Sequence, residues 1–329
     1  MTAAATQEFV IGVDLGGTNV VTGALTTDGS RTYGVRSAPT EVKAGAEGVV
    51  DRIVAQIEAT IADTMTQAGV TRAAFRGVGV GAPGPLDRVR GLVIVAPNLG
   101  WRNFPLRDRI SERVGLPASL DNDANCATVG EWWLGAARGA RHVVGLTIGT
   151  GIGGGLIIDG KLFHGASDVA GEIGHTTIDV NGRHCTCGNY GCLEAYASGP
   201  AIATRAREVL MREGTGSLMP NMVHGDLERL TAQTVYDAAK AGDPVADEIV
   251  RDTARYLGAG VANLLNIFNP DVVVVAGGVT LAGERLFTPL GAEVRRRAFA
   301  PAVAAVKIVA GELPGTAGVV GAVRTFLDS

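Results

Sequence analysis

Apolar and polar positions alternate in several distinct registers along the chain. Phe9-Val10-Ile11-Gly12-Val13 is a short apolar run that turns sharply through Asp14-Leu15-Gly16-Gly17-Thr18-Asn19. Residues 20–25 resume a strand pattern, Thr27-Asp28-Gly29 predicts a hairpin turn, and residues 32–37 predict the returning strand. A dinucleotide fingerprint would enter a helix directly after its glycines, whereas this turn leads back into a strand. Between residues 48 and 65 the period changes: Val50, Ile53, Val54, Ile57, Ile61 and Met65 recur at helical spacing. Strands follow at Phe75–Ala82 and 92–95, the first closed by Gly81-Ala82-Pro83-Gly84-Pro85, and a helix is predicted at Leu106–Val114. A strand at 118–120 then delivers Asp121-Asn122-Asp123 to the start of a helix predicted over 124–137.

A second cycle begins at His142. Val143–Ile148 reads as a strand, 149–155 as a glycine turn, 156–158 as a strand and Asp159-Gly160 as a hairpin turn. Both halves thus repeat strand, polar glycine turn, strand, hairpin. Residues 165–194 lose all periodicity and concentrate Gly, Cys and His, which predicts an irregular segment braced by a metal. Helices are predicted at 195–211, 231–241 and Pro244–Phe268, the last with a stripe of Leu257, Val261, Leu264, Leu265 and Phe268. Residues 271–276 are almost wholly β-branched and end at Gly277-Gly278, as a strand buried on both faces of an α/β sheet would. A helix at 283–297, a strand at 303–309 and a terminal helix at 316–327 complete the reading. The class is α/β. Junctions near Leu120 and Leu313 predict a smaller domain of residues 1–120 joined by a terminal helix at 314–329, and a larger domain of 121–313 carrying the 165–194 segment.

Composition narrows the possibilities. The 329 residues include 47 glycines, roughly twice the usual ~7%. With 46% apolar and 19% charged residues the chain supports a large core and is not disordered. Lys plus Arg number 29 against 33 Asp plus Glu, a net charge of -4, so there is no global basic bias for nucleic acid or an anionic membrane. No 18-residue apolar run occurs, and MTAAATQEF lacks the basic start and apolar stretch of a signal peptide. The expectation is a cytoplasmic protein with neither nucleic acid nor membrane as partner.

The candidate chemistry lies in five places. In Asp14 to Asn19 two glycines permit close approach of phosphate oxygens, and Asp14 can serve a phosphate only through Mg2+ or a water. A tight hairpin explains that turn alone equally well; the matching Gly149-Thr150-Gly151 turn favours phosphate binding. Asn122-Asp123 is either a helix cap or the reacting end of a phosphoryl acceptor site, where Asp123 would accept the hydroxyl proton. Asp121 competes as the cap. His175, Cys185, Cys187 and Cys192 make the tetrahedral N/S set of a structural zinc, with no position left for water. His184 is a rival ligand, but its adjacency to Cys185 would strain the wrap. Glu172 and Glu194 flank this cluster and can accept hydrogen bonds from sugar hydroxyls. Asn98, in a Pro-Asn-Leu-Gly loop with few apolar anchors, reads as a ligand contact, and Cys126 as a small buried residue.

Taken together, these motifs resemble the ROK family of sugar kinases and repressors, most closely its bacterial glucokinases. The resemblance spans nearly the whole chain and is most specific in Glu172-Ile173-Gly174-His175 followed by Cys185-x-Cys187-x4-Cys192-x-Glu194. It implies an actin-like (ribonuclease H-like) fold of two α/β domains with nucleotide and sugar in a central cleft. It implies glucose contacts from Gly84, Asn98, Asn122, Asp123, Glu172, His175 and Glu194, with Asp123 as base at the 6-hydroxyl. ATP and Mg2+ would be held by Asp14, Gly16, Gly17, Thr18, Asn19, Gly149, Thr150 and Gly151, with Gly277 and Gly278 near the nucleoside and Zn2+ structural. A homo-oligomer, dimer or tetramer, is also implied. Repressors of the family carry an additional N-terminal DNA-binding region, for which Asp14 stands too early. Kinases for fructose, mannose or N-acetylhexosamine, a polyphosphate donor, and a sugar sensor without chemistry are the alternatives.

Overall fold

A computed structural model describes residues 7–213 and 216–329. Residues 1–6, on which the signal-peptide expectation rests, lie outside the described residues. In chain order the first strands are β1 (Phe9–Leu15), β2 (Asn19–Thr26), β3 (Thr32–Pro39), β4 (Phe75–Ala82), β5 (Leu86–Asp87), β6 (Leu92–Ala96), β7 (Trp101–Phe104) and β8 (Ala118–Asn122). Then come β9 (Val143–Ile148), β10 (Ile152–Ile158), β11 (Lys161–Leu162), β12 (Val272–Ala276) and β13 (Lys307–Ala310). The helices are α1 (Gly45–Ala68), α2 (Leu106–Val114), α3 (Asp123–Trp133), α4 (Glu194–Ala197), α5 (Gly199–Glu213) and α6 (Met219–Met222). They continue with α7 (Ala232–Lys240), α8 (Pro244–Phe268), α9 (Glu284–Arg297), α10 (Ala300–Ala305) and α11 (Ala317–Leu327).

The chain forms two compact units. One holds the described residues up to Ala140, together with Gly155–Gly171 and Glu312–Ser329; the other holds Arg141–Gly154 and Glu172–Gly311. The first junction therefore falls at Ala140, not at Leu120, because α3 packs on α11 and stays with the first unit. Residues 155–171 also join the first unit, where Gly155 lies against Thr128 and His164 bonds Asp121.

In the first unit the sheet order is β3-β2-β1-β4-β8. Strands β1, β2 and β3 pair antiparallel, while β4 and β8 join parallel. The two-residue period of β1 sends Phe9, Ile11, Val13 and Leu15 into a core with Val50, Ile53 and Ile57 of α1. The opposite face carries Val10, which packs with Val319, Val320 and Val323 of α11. In β4 the same period alternates Val78 and Val80 with Gly77, Gly79 and Gly81. The glycine face is what lets α11 approach. A Cβ at Gly79 would stand 1.8 Å from the Ala322 carbonyl oxygen, and one at Gly12 would stand 2.2 Å from that of Val319. Helix α11 meets α3 as closely, since a Cβ at Gly321 would lie 1.6 Å from the Cys126 carbonyl oxygen. Helix α3 stops at Trp133, short of the expected Ala137, because buried Glu131 accepts the backbone N–H groups of Ala136, Glu312 and Leu313. A small antiparallel sheet, β5-β6-β7, stands beside this core.

In the second unit β9, β12 and β13 run parallel, and the start of β10 lies on the other side of β9. Val272 to Val275 are buried as their β-branched run predicts, and α8 buries Leu257, Val261, Leu264 and Leu265 while Phe268 is half-buried. The strand expected over 303–309 is corrected: residues Ala300–Ala305 form α10 and only Lys307–Ala310 is a strand. Alanines around one valine, with Pro301 in the first turn, favour helix over the β-branched signal. The glycine turn is also shorter than 149–155, since β10 begins at Ile152. Among the described residues no helix is long and apolar enough to cross a membrane.

The packing of α11 gives a stability prediction. Gly321→Ala forces a methyl group into the Cys126 carbonyl and should destabilise the protein by about 1–3 kcal/mol. A urea midpoint unchanged from the native protein would contradict the backbone contact.

Candidate active site

The first unit gathers one set of the expected residues at the ends of β1, β4 and β8. Asp14 follows Val10 and Gly12 on the face of β1 that meets α11. A Cβ at Gly318, in the first turn of α11, would come within 2.3 Å of Asp14 Oδ2. That helix start is where a carboxylate is best tolerated. The following turn is fixed by the Gly16 N–H donating to Asn19 O at 2.9 Å and by the Thr40 hydroxyl donating to Gly16 O at 2.7 Å. Thr18 and Asn19 are exposed at its tip. Gly17 faces Asn98, whose Nδ2 would be 2.9 Å from a Cβ placed there. Asn98 itself sits in a 3-10 turn, Pro97–Leu99. Gly84 has φ 91°, and a Cβ on it would strike the Val95 carbonyl, so this position requires glycine.

At the β8–α3 corner the question of the cap is resolved. Asn122 is the N-cap: its Oδ1 accepts from Ala124 N at 2.9 Å and Asn125 N at 3.1 Å, and its Nδ2 donates to Gly84 O at 3.4 Å. Asp123 is the first helical residue, and its Oδ1 also accepts from Ala124 N at 2.9 Å. Asp121 is buried and does not cap the helix. It accepts from Asn122 N at 2.8 Å and Asn125 Nδ2 at 3.1 Å, and contacts His164 Nε2 at 2.8 Å. Asp14 and Asp123 feel each other's charge. Burial, with the Asp123 carboxylate adding, pushes the Asp14 carboxyl from 3.8 up to about 7.

The second unit gathers the remaining set. Glu194 opens α4 and accepts the Ile152 N–H at 2.8 Å through Oε2, directly against Gly151. The glycine turn and the cysteine segment are thereby tied together. Glu172 immediately precedes the 3-10 turn Ile173–His175, which presents His175 toward the cysteines. Ligand atoms of His175, Cys185, Cys187 and Cys192 all lie within 4.8 Å of one another. Cys187 Sγ is 3.7 Å from Cys192 Sγ, and Cys185 Sγ is 3.8 Å from His175 Nδ1. A tetrahedron with ~2.3 Å metal–sulfur bonds has edges of about 3.8 Å, so the four donors fit a zinc ion. Burial beside the other two sulfurs pushes the Cys192 thiol up to about 12, a crowding that a divalent cation relieves. His184 stands apart from this cluster, edge-on to Tyr190 at 5.1 Å between ring centroids.

Next to the glycine turn, entirely within the second unit, is a cavity of about 510 Å3. Gly149, Thr150 and Gly278 line one part, and Arg207, Gln233 and Tyr236 of α5 and α7 line another. Its size and largely apolar wall suit a nucleoside. Gly277 links β12 to this wall.

Residues 10–328 match the ROK family. The chain belongs to it. A glucokinase of Thermotoga maritima is 39% identical to this ROK protein over 317 residues, 95% of each chain. The crystal structure of a ROK family glucokinase from Streptomyces griseus, in complex with glucose and AMPPNP, superposes with a TM-score of 0.82 at 37% identity, covering 96% of this chain and 98% of that one. A xylose repressor of Caldicellulosiruptor bescii is 36% identical over 268 residues, 82% of this chain and 66% of the repressor. The α/β architecture is accordingly the actin-like, ribonuclease H-like fold of ROK sugar kinases.

Sequence reading missed Arg88, His164 and Asp168 around Asp121, and Arg207, Gln233 and Tyr236 around the cavity. Their partners are dozens of residues away, so no local motif announces them. Gly318 was open to discovery, since a glycine in an apolar helix asks for a close neighbour.

Asp14 gives a pH prediction. The folded chain keeps a proton that the unfolded chain releases near 3.8, so the stability this group contributes is complete below that pH and is lost as pH rises toward about 7. In metal-free buffer the native protein should lose more stability between these limits than Asp14→Asn. Parallel stability–pH curves for the two proteins would refute the charge-crowded Asp14.

Proposed function

We propose that this ROK protein is a glucokinase, transferring the γ-phosphoryl group of ATP to the 6-hydroxyl of glucose to give glucose 6-phosphate and ADP. The observation that carries the reading is the β8–α3 corner. Asn122 caps the helix, and Asp123 stands at its first turn, in electrostatic contact with Asp14 beside the Gly16-Gly17 turn. Asp123 orients the attacking hydroxyl and accepts its proton late in transfer, and the positive end of α3 favours the anionic groups in reach. Gly84, Asn98, Asn122, Glu172, His175 and Glu194 are read as the sugar contacts. Asp14 is an uncompensated carboxylate next to Asp123, and this donor pair fits Mg2+ held through water. When bound, Mg2+ supplies neutralising charge to the phosphates. Gly16, Gly17, Thr18 and Asn19 contact phosphate, as do Gly149, Thr150 and Gly151.

The cavity beside Gly149, Thr150 and Gly278 supports a nucleoside triphosphate donor over polyphosphate, which has no base to fill it. Glucose as acceptor is supported by the glucokinase relatives and by the glucose complex of the Streptomyces griseus protein. Zinc is read as structural, since His175, Cys185, Cys187 and Cys192 occupy all four positions of a tetrahedral shell. A cytoplasmic homo-oligomer completes this reading. The repressor relative favours a second reading, a sugar sensor without chemistry. An acceptor carboxylate beside a phosphate turn has no use in such a protein.

Asp123→Ala should lower kcat at least ~100-fold while metal content and the circular dichroism spectrum stay native. Near-native turnover would remove Asp123 from the base role. Cys187→Ser should release the zinc and weaken glucose binding, with nucleotide binding affected less because Arg207, Gln233 and Tyr236 of α5 and α7, outside the cysteine segment, line much of its cavity. Metal analysis with separate glucose and nucleotide titrations checks this, and an unchanged glucose Kd in zinc-free protein would contradict it.

A further inference from the structure

We propose that His164 and Arg88, acting through buried Asp121, are positioning residues that set the Asn122–Asp123 corner for phosphoryl transfer. The proposal rests on the reading of Asp123 as acceptor base. Asp121 is 1% exposed and has donors on both oxygens. Oδ1 accepts from Asn122 N at 2.8 Å and Asn125 Nδ2 at 3.1 Å. Oδ2 lies 2.8 Å from His164 Nε2 and is ion-paired with Arg88, whose Nε stands 3.1 Å away without the alignment of a hydrogen bond. Any rotation of this carboxylate breaks a contact with the backbone of Asn122 or the side chain of Asn125, which are part of the corner itself.

Three separate segments converge on that one group. Arg88 comes from the β5–β6 hairpin, and His164 from the loop that follows β11. The Ala170 N–H closes this loop by donating to His164 O at 3.1 Å. Asp168, in the left-handed region at φ 57°, locks hairpin to loop. Its Oδ2 accepts from Arg88 N at 3.2 Å, and its Oδ1 stands 3.6 Å from Arg88 Nη1. A buried ion pair adds little to stability compared with apolar residues of the same volume, so the fold gains little from this arrangement. It does gain a corner whose geometry is over-determined, which is what a base that must meet a hydroxyl in line requires. His164 Nε2 faces Oδ2 of a carboxylate whose Oδ1 takes the Asn122 N–H, and a carboxylate oxygen accepts, so the ring nitrogen acts as donor there.

The test uses the full-length protein with glucose, ATP and Mg2+, and compares His164→Leu, His164→Gln and Asp123→Asn. His164→Leu removes the donor and should lower kcat about 10–100-fold, with KM for ATP changed less than about twofold. In His164→Gln the amide nitrogen can stand in for Nε2, so kcat should recover to within about threefold of native. Equal kcat values for the Leu and Gln variants, whether native-like or impaired, would overturn the proposal. Asp123→Asn with native turnover would instead overturn the base assignment, so the two failures are separable. Should His164→Leu not fold, Arg88→Gln on the partly exposed hairpin takes its place. It must lower kcat with KM for ATP held, and a native kcat there would overturn the proposal.

Discussion

Direct backbone-to-backbone packing of the C-terminal helix organises the first unit. Helix α11 lies on the glycine face of β1 and β4 and crosses α3 at Gly321, with carbonyl groups where side chains would normally stand. Side-chain volume is absent from this face at Gly12, Gly77, Gly79 and Gly81, while Val13 of β1 and Val78 and Val80 of β4 build the core on the other face. The approach brings the start of α11 against the end of β1, so that Asp14 meets Gly318. It also holds α3 close to the sheet, which puts Asp123 within electrostatic range of Asp14. Close packing and charge crowding are thus two consequences of one constraint.

That crowding runs against stability and toward function. A carboxyl held near a pKa of 7 by burial and by a neighbouring carboxylate is a costly arrangement in the empty protein. On the proposed reading, a cation brought in with phosphate groups would offset that cost. The cysteine cluster of the second unit has the same logic: crowded thiols gain from a divalent ion that fixes the segment carrying Glu172, His175 and Glu194. In both units the groups proposed for binding are held by other parts of the molecule. Asn122 is committed to the cap, and Glu194 to the Ile152 amide.

Much of this was legible from residue order alone. Phe75–Ala82, Leu106–Val114, Val143–Ile148 and Pro244–Phe268 have the bounds their patterns predict, because Gly, Pro or a sharp change of period marks each end. The cysteine spacing named the N/S cluster correctly, since ligands close in sequence must fold onto one another. Other features depend on long-range contacts. Nothing near Val303 signals that alanines and Pro301 make it helical, and nothing near His164 signals Asp121, 43 residues earlier. The junction at Ala140 was missed for the same reason, as α3 belongs to the first unit mainly through its contact with α11. The alternation Gly77-Val78-Gly79-Val80-Gly81 was an overlooked local clue to the approach of α11 to the sheet.

The central claim is that these groups perform phosphoryl transfer to a hexose. Product analysis of purified protein with glucose, Mg2+ and either ATP or polyphosphate addresses it most directly. The account predicts stoichiometric glucose 6-phosphate and ADP with ATP, and little product with polyphosphate. Glucose binding detected by calorimetry without product from either donor would contradict it and identify a sugar sensor instead.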